Sequence, residues 1–69
     1  MDLRVSSVAI DRIAYDDASA YLDVWFDSGH RYRYLGVPRE TFEQLRAAGS
    51  VGQFFNRMIR REYTFLRFR

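Results

Sequence analysis

The stretch from Ala20 to Leu35 constrains this chain more than any other, because it alternates twice around one short polar interruption. In Tyr21-Leu22-Asp23-Val24-Trp25-Phe26-Asp27, the residues Leu22, Val24 and Phe26 fall on one side and Tyr21, Asp23, Trp25 and Asp27 on the other, which is the two-residue period of a half-buried strand. After Ser28-Gly29 the run His30-Arg31-Tyr32-Arg33-Tyr34-Leu35 alternates again, so the pair reads as a β-hairpin. Its register follows from which loop keeps charge off the buried face. A three-residue loop, Asp27-Ser28-Gly29 with Gly29 left-handed, sets Phe26 opposite His30, Val24 opposite Tyr32 and Leu22 opposite Tyr34. A two-residue loop sets Phe26 against Arg31 and Val24 against Arg33, so the longer loop is expected.

Upstream, Val8 to Tyr15 is β-prone, but Ile10, Ile13 and Tyr15 break strict alternation and imply a bulge near Asp11 or Arg12. Asp16-Asp17-Ala18-Ser19 carries turn chemistry and joins this strand to the next as a second hairpin. Gly36-Val37-Pro38 ends the third strand, and Pro38 suits the first position of a helix running through Glu40 to Ala48, with Phe42, Leu45 and Ala48 inward and Gly49 as C-terminal cap. Ser50-Val51-Gly52-Gln53 has the form of a capping box. It opens a second helix with an apolar stripe at Val51, Phe54, Phe55, Met58, Ile59 and Tyr63 and with Asn56, Arg57, Arg60 and Arg61 opposite. The tail alternates Phe65, Leu66 and Phe68 with Arg67 and Arg69, as an extra strand or a dimer contact would. The expected class is therefore α+β, a three-stranded antiparallel β-meander followed by two helices packed on one face, in the order β-β-β-α-α.

Size limits what else is possible. A chain of 69 residues fits one domain, 1–69, and a core of this size supplies only about 3–5 kcal/mol. There is no Cys, so disulfides and thiolate metal sites are excluded, and His30 is the sole histidine, so a protein zinc site is not expected. Six Phe, five Tyr and one Trp supply the packing instead. With neither a signal sequence nor an apolar run of about 20 residues, the expected location is the cytoplasm, with no membrane partner, metal or cofactor.

Charge is uneven. Residues 1–30 hold six Asp and two Arg, whereas 31–69 hold nine Arg and three Glu, and every one of the eleven cationic residues is Arg. Guanidinium binds phosphate bidentately and stacks on bases in ways an ammonium does not, which directs attention to nucleic acid.

A set of residues distributed over the chain resembles a known family. Ser6-Ser7, Ile10, Ile13, Tyr15-Asp16, Val24, Phe26, Ser28-Gly29, Tyr32-Arg33-Tyr34, Gly36-Val37-Pro38, Leu45, Ser50 to Gly52, Phe55-Asn56, Ile59-Arg60 and Tyr63 together resemble the KTSC domain. That domain takes its name from the C-terminus of some lysyl-tRNA synthetases and also occurs as a free-standing bacterial protein. The resemblance implies family membership for nearly the whole chain. It does not imply an established activity, although RNA binding is proposed for the family because of the synthetase fusion. Tyr32, Tyr34, Gly36, Pro38 and Phe55 belong to the family pattern and are read as structural.

The candidate contacts fall in two groups. Arg57, Arg60 and Arg61 with Asn56 form a basic stripe suited to phosphates, against the alternative of an ordinary solvated helix face. Asn56 and Arg60, four residues apart, either contact a ligand or hold the helix against the loop at Gly36. Trp25, Arg31 and Arg33, on the hairpin face away from the helices, form a second patch, against the alternative of a cation–π contact and a surface ion pair. Tyr32 and Tyr34 are expected in the core rather than as base-stacking rings, and Ser50 is expected to cap its helix rather than bind an anion. Adjacent Asp16 and Asp17 make no paired-carboxylate site. Three functions follow in order: a non-catalytic module binding RNA, including tRNA; a protein-interaction or homodimerisation module using Phe65, Leu66 and Phe68; and a small metal-independent ribonuclease using Arg, Tyr and His30.

Overall fold

Two tight reversals organise the sheet. Gly29 adopts φ +93°, and the amide of Phe26 donates to the carbonyl of His30 at 2.9 Å, closing the three-residue loop anticipated between β3 (Tyr21–Phe26) and β4 (Arg31–Tyr34). The register then pairs Leu22 with Tyr34, Asp23 with Arg33, Val24 with Tyr32 and Trp25 with Arg31. The preceding strand, β2 (Ile10–Asp16), pairs antiparallel with β3, and its register shifts between Ile10 and Arg12, where the expected bulge lies. The turn between them ends with Ala20 at φ 58°, a left-handed conformation held by a non-glycine residue. Its carbonyl accepts from the amide of Val37 at 3.0 Å.

The computed structural model describes residues 1–5 and 9–68. Ser6 and Ser7 of the family pattern, Val8 at the expected start of the upstream strand, and Arg69 lie outside the described residues.

The sheet is wider than the expected meander. Among the described residues it has five strands rather than three, in the order β1-β2-β3-β4-β5, all antiparallel, with β1 (Asp2–Arg4) and β5 (Phe65–Phe68) at its edges. A three-residue strand with one apolar residue, Leu3, shows no periodicity to read. Arg12 reaches Asp2 at 3.4 Å across this pairing. The tail forms the extra strand: Phe65 pairs with Tyr34 and stacks on Tyr32 at 5.2 Å between ring centroids.

The helices are α1 (Arg39–Ala47) and α2 (Val51–Met58). Pro38 is the N-cap of α1 rather than its first residue, and the C-cap is Ala48 in extended conformation. Gly49 does not take the left-handed cap conformation, because the extended Ala48 already breaks the helical path toward α2. Ser50 caps α2 as expected, its hydroxyl accepting from the amide of Gln53 at 3.3 Å. The stripe continues past the end of α2. Ile59 is fully buried and Tyr63 half-buried, yet the chain has left helical geometry at Ile59, where φ is −123°.

Both helices cover one face of the sheet. Ile10, Ile13, Tyr15, Leu22, Val24 and Tyr34 meet Phe42, Leu45, Val51, Phe55 and Ile59 in a single cluster. Tyr15 stacks on Phe42 at 4.7 Å, and its hydroxyl donates to the carbonyl of Val37 at 2.6 Å, so its polar end is satisfied inside the core. No helix among the described residues is long and apolar enough to cross a membrane.

Candidate nucleic-acid interface

The two faces of the sheet use their arginines differently. On the uncovered face Asp23 is only 6% exposed and accepts from Nε and a terminal nitrogen of Arg33, at 2.8 and 3.0 Å, and from Arg31. Burial pushes the Asp23 carboxyl up, but hydrogen bonds from Arg33 and Arg31 and their charges outweigh it and hold the pKa below the ordinary carboxylate value. Trp25 is half-buried between Arg12 and Arg31, whose guanidinium carbons lie 3.9 and 4.7 Å from its ring centroid. Phe68 takes Arg31 and Arg33 at 4.6 and 4.9 Å. The second sequence patch, Trp25, Arg31 and Arg33, is thus brought together as expected, and its charges already engage a buried carboxylate and aromatic rings. This lattice holds four strands in register.

The other group differs. Arg57 lies on the last turn of α2, while Arg60 and Arg61 lie in the turns after it, because the helix ends at Met58. All three are exposed, and among the described residues none lies within ion-pair distance of a carboxylate, whereas Arg4, Arg12, Arg31, Arg33, Arg39 and Arg46 all do. Arg67, on β5, is likewise exposed and without a carboxylate. Sequence reasoning passed over Arg67, since only the register of β5 reveals that it sits opposite Tyr32.

Arg60 borders a cleft of about 380 Å³ between the β3–β4 loop and the end of α2. Phe26, Tyr32, Tyr34 and Phe55 supply its aromatic wall, with Phe26 edge-on to Tyr32 at 5.6 Å and Tyr34 edge-on to Phe55 at 5.3 Å. Asn56 accepts from Arg60 at 3.4 Å at the exposed rim, so this pair braces itself at the mouth of the cleft and makes no buried bond to the Gly36 loop. Tyr34 is a core residue at 2% exposure, as its register required, and Tyr32 is half-buried beside it. Burial raises the Tyr34 hydroxyl pKa; the Arg60 charge opposes that rise and Tyr32 adds to it.

His30 also reaches the cleft. Its Nε2 accepts from Arg67 at 2.9 Å, and its Nδ1 lies 3.3 Å from the Ser28 hydroxyl.

The architecture and this cleft define a small α+β domain with one sheet face sealed by two helices and exposed arginines where the second helix ends. The sequence model of the KTSC domain matches residues 6–63, and the chain belongs to that family. The crystal structure of a KTSC domain protein from Yersinia pestis superposes with a TM-score of 0.93 at 31% identity, covering 100% of this chain and 97% of that one. A protein of Tsukamurella paurometabola is 41% identical over 56 residues, 81% of this chain and 84% of its own length. A lysine–tRNA ligase of Nostoc punctiforme is 35% identical over 63 residues, 91% of this chain but 11% of the ligase.

Proposed function

We propose that the domain is a non-catalytic, cytoplasmic RNA-binding module whose phosphate contacts are Arg57, Arg60, Arg61 and Arg67, with Asn56 beside them. The observation that carries this reading is the contrast between two sets of arginines. Those at the end of α2 and on the facing edge of β5 are exposed and have no carboxylate partner among the described residues, whereas Arg31 and Arg33 are tied to Asp23. Exposed guanidiniums without a carboxylate partner are what a polyphosphate backbone requires. The kinship with a stretch of lysine–tRNA ligases favours tRNA among RNA partners. Arg31 and Arg33, tied to Asp23, contribute little to binding in this account.

The test is fluorescence anisotropy with a labelled tRNA and an unstructured RNA. Replacing Arg57, Arg60 and Arg61 together by alanine is expected to abolish saturable binding with the far-ultraviolet circular dichroism unchanged. Full affinity in that variant would overturn the assignment.

One observation favours a second reading, homodimerisation. Phe65 and Leu66 are 48% and 49% exposed, and β5 is an edge strand able to pair with another copy. A monomer by light scattering at high concentration would remove it. A ribonuclease role has less support, because Arg67 occupies the lone pair of His30 Nε2 that a general base would use.

A further inference from the structure

We propose that the cleft between the β3–β4 loop and the end of α2 is a subsite for a single unstacked nucleotide, its phosphate held by Arg60 and Tyr34 and its base set against Phe26 and Tyr32. This deepens the RNA-binding reading and rests on it for its biological ligand, but its chemistry stands on four observations about the cleft.

The first is Tyr34. Its side chain is almost wholly buried, and among the described residues no protein group hydrogen-bonds its hydroxyl. Tyr34 lines the cleft beside Phe55 and Arg60. A phenol in the lining of a cleft supplies a donor to an acceptor placed there. The second is Arg60, whose guanidinium stands at the same mouth and acts electrostatically on that hydroxyl. A neutral donor and a cation converging on one space select an anion with several acceptor oxygens, as a phosphate has.

The third is the aromatic wall. Phe26 and Tyr32 are half-buried, and both line the cleft with part of their surface still accessible. A bare anion has no use for such a surface, whereas an unstacked base does. The fourth is the opposite rim, where the β3–β4 loop contributes Asp27 and Ser28. A carboxylate there repels a second anion but accepts from a ribose hydroxyl or an exocyclic amine. Arg60 at one end, an aromatic middle, and Asp27 and Ser28 beside the Arg67-bonded His30 at the other match a nucleotide better than an acidic peptide. The volume, near the lower limit of ligand sites, suits one nucleotide.

The experiment is a proton–nitrogen correlation NMR titration of the full chain with uridine 5′-monophosphate, uridine and inorganic phosphate separately. The nucleotide is expected to shift the Phe26, Ser28, Tyr32, Asn56 and Arg60 amides saturably and to bind at least about tenfold more tightly than either fragment. Arg60→Gln and Tyr34→Phe are each expected to weaken it by roughly tenfold, the loss typical of one bond to a charged group. Arg60 is exposed, so its variant remains informative should the core substitution fail to fold. Nucleotide binding no tighter than phosphate, shifts centred elsewhere, indifference to both variants, or tighter binding of an acidic peptide would each overturn the proposal. An oligonucleotide that binds while the mononucleotide does not removes this subsite and leaves the RNA-binding reading standing. A mononucleotide that binds while RNA does not removes the RNA-binding reading and leaves the subsite as that of a free nucleotide.

Discussion

Asp23 and Arg33 are joined by two parallel hydrogen bonds, at 2.8 and 3.0 Å, across the central strand pair of a sheet face that no helix covers. Because Arg31 also donates to this carboxylate, Asp23 makes two cations structural and withdraws them from the surface. Asp23→Ala is therefore expected to destabilise the domain by about 2–3 kcal/mol, below the ~3–5 kcal/mol of a fully buried pair because both arginines remain partly in water. Urea unfolding at neutral pH measures it.

The same carboxylate sets the acid limit. Its pKa is lower in the folded chain than the ~3.9 of an unfolded one, so its contribution is complete above about pH 4 and is lost as pH falls through the folded value. Thermal melts between pH 5 and pH 2 should show a steep fall in the wild type and a shallower one in Asp23→Asn.

At the alkaline end Tyr15 and Tyr34 act in the opposite sense. Burial raises both hydroxyl pKa values, so the unfolded chain releases these protons first and stability declines as pH rises above about 10. Tyr15→Phe should flatten that decline while costing about 1–2 kcal/mol at neutral pH, through the lost bond to the Val37 carbonyl.

Ala20 sits at φ 58° at the end of the β2–β3 turn, where an L-residue costs roughly 1–2 kcal/mol. Ala20→Gly relieves that strain against a smaller entropic cost and is expected to raise stability by about 0.5–1 kcal/mol, read from the urea midpoint.

These positions also show what the sequence could and could not reveal. The β3–β4 register was legible because a one-residue slip places Arg31 and Arg33 in the core, a large penalty that a linear pattern exposes. β1 was not, since three residues carry no period, and the end of α2 was not, since Ile59 and Tyr63 keep their helical spacing after the backbone has turned. Arginine enrichment after residue 30 was visible, but which guanidiniums are free depends on Asp23 lying between Arg31 and Arg33 and on no carboxylate among the described residues reaching Arg57, Arg60, Arg61 or Arg67. The cleft needed four separated segments, at Ala9, Phe26–Ser28, Tyr32–Tyr34 and Phe55–Arg60, to converge.

The division of labour among arginines predicts separable phenotypes. Arg33→Ala is expected to lower the urea midpoint while changing RNA affinity less than about threefold. Arg57→Ala combined with Arg61→Ala should leave the midpoint unchanged and weaken RNA binding by tenfold or more at low salt. The two variants measured side by side check both halves.

The central claim is that unpaired guanidiniums at the end of α2 and on β5 bind RNA phosphates, and the salt dependence of binding tests it most directly. For single-stranded RNA, four contacts imply a log–log slope of affinity against salt of about −2 to −3, falling toward zero when Arg57, Arg60 and Arg61 are replaced by alanine. Saturable binding with that slope, and its loss in the triple variant, is the predicted result. No saturable binding at low salt, or a slope unchanged by the three substitutions, would contradict the account.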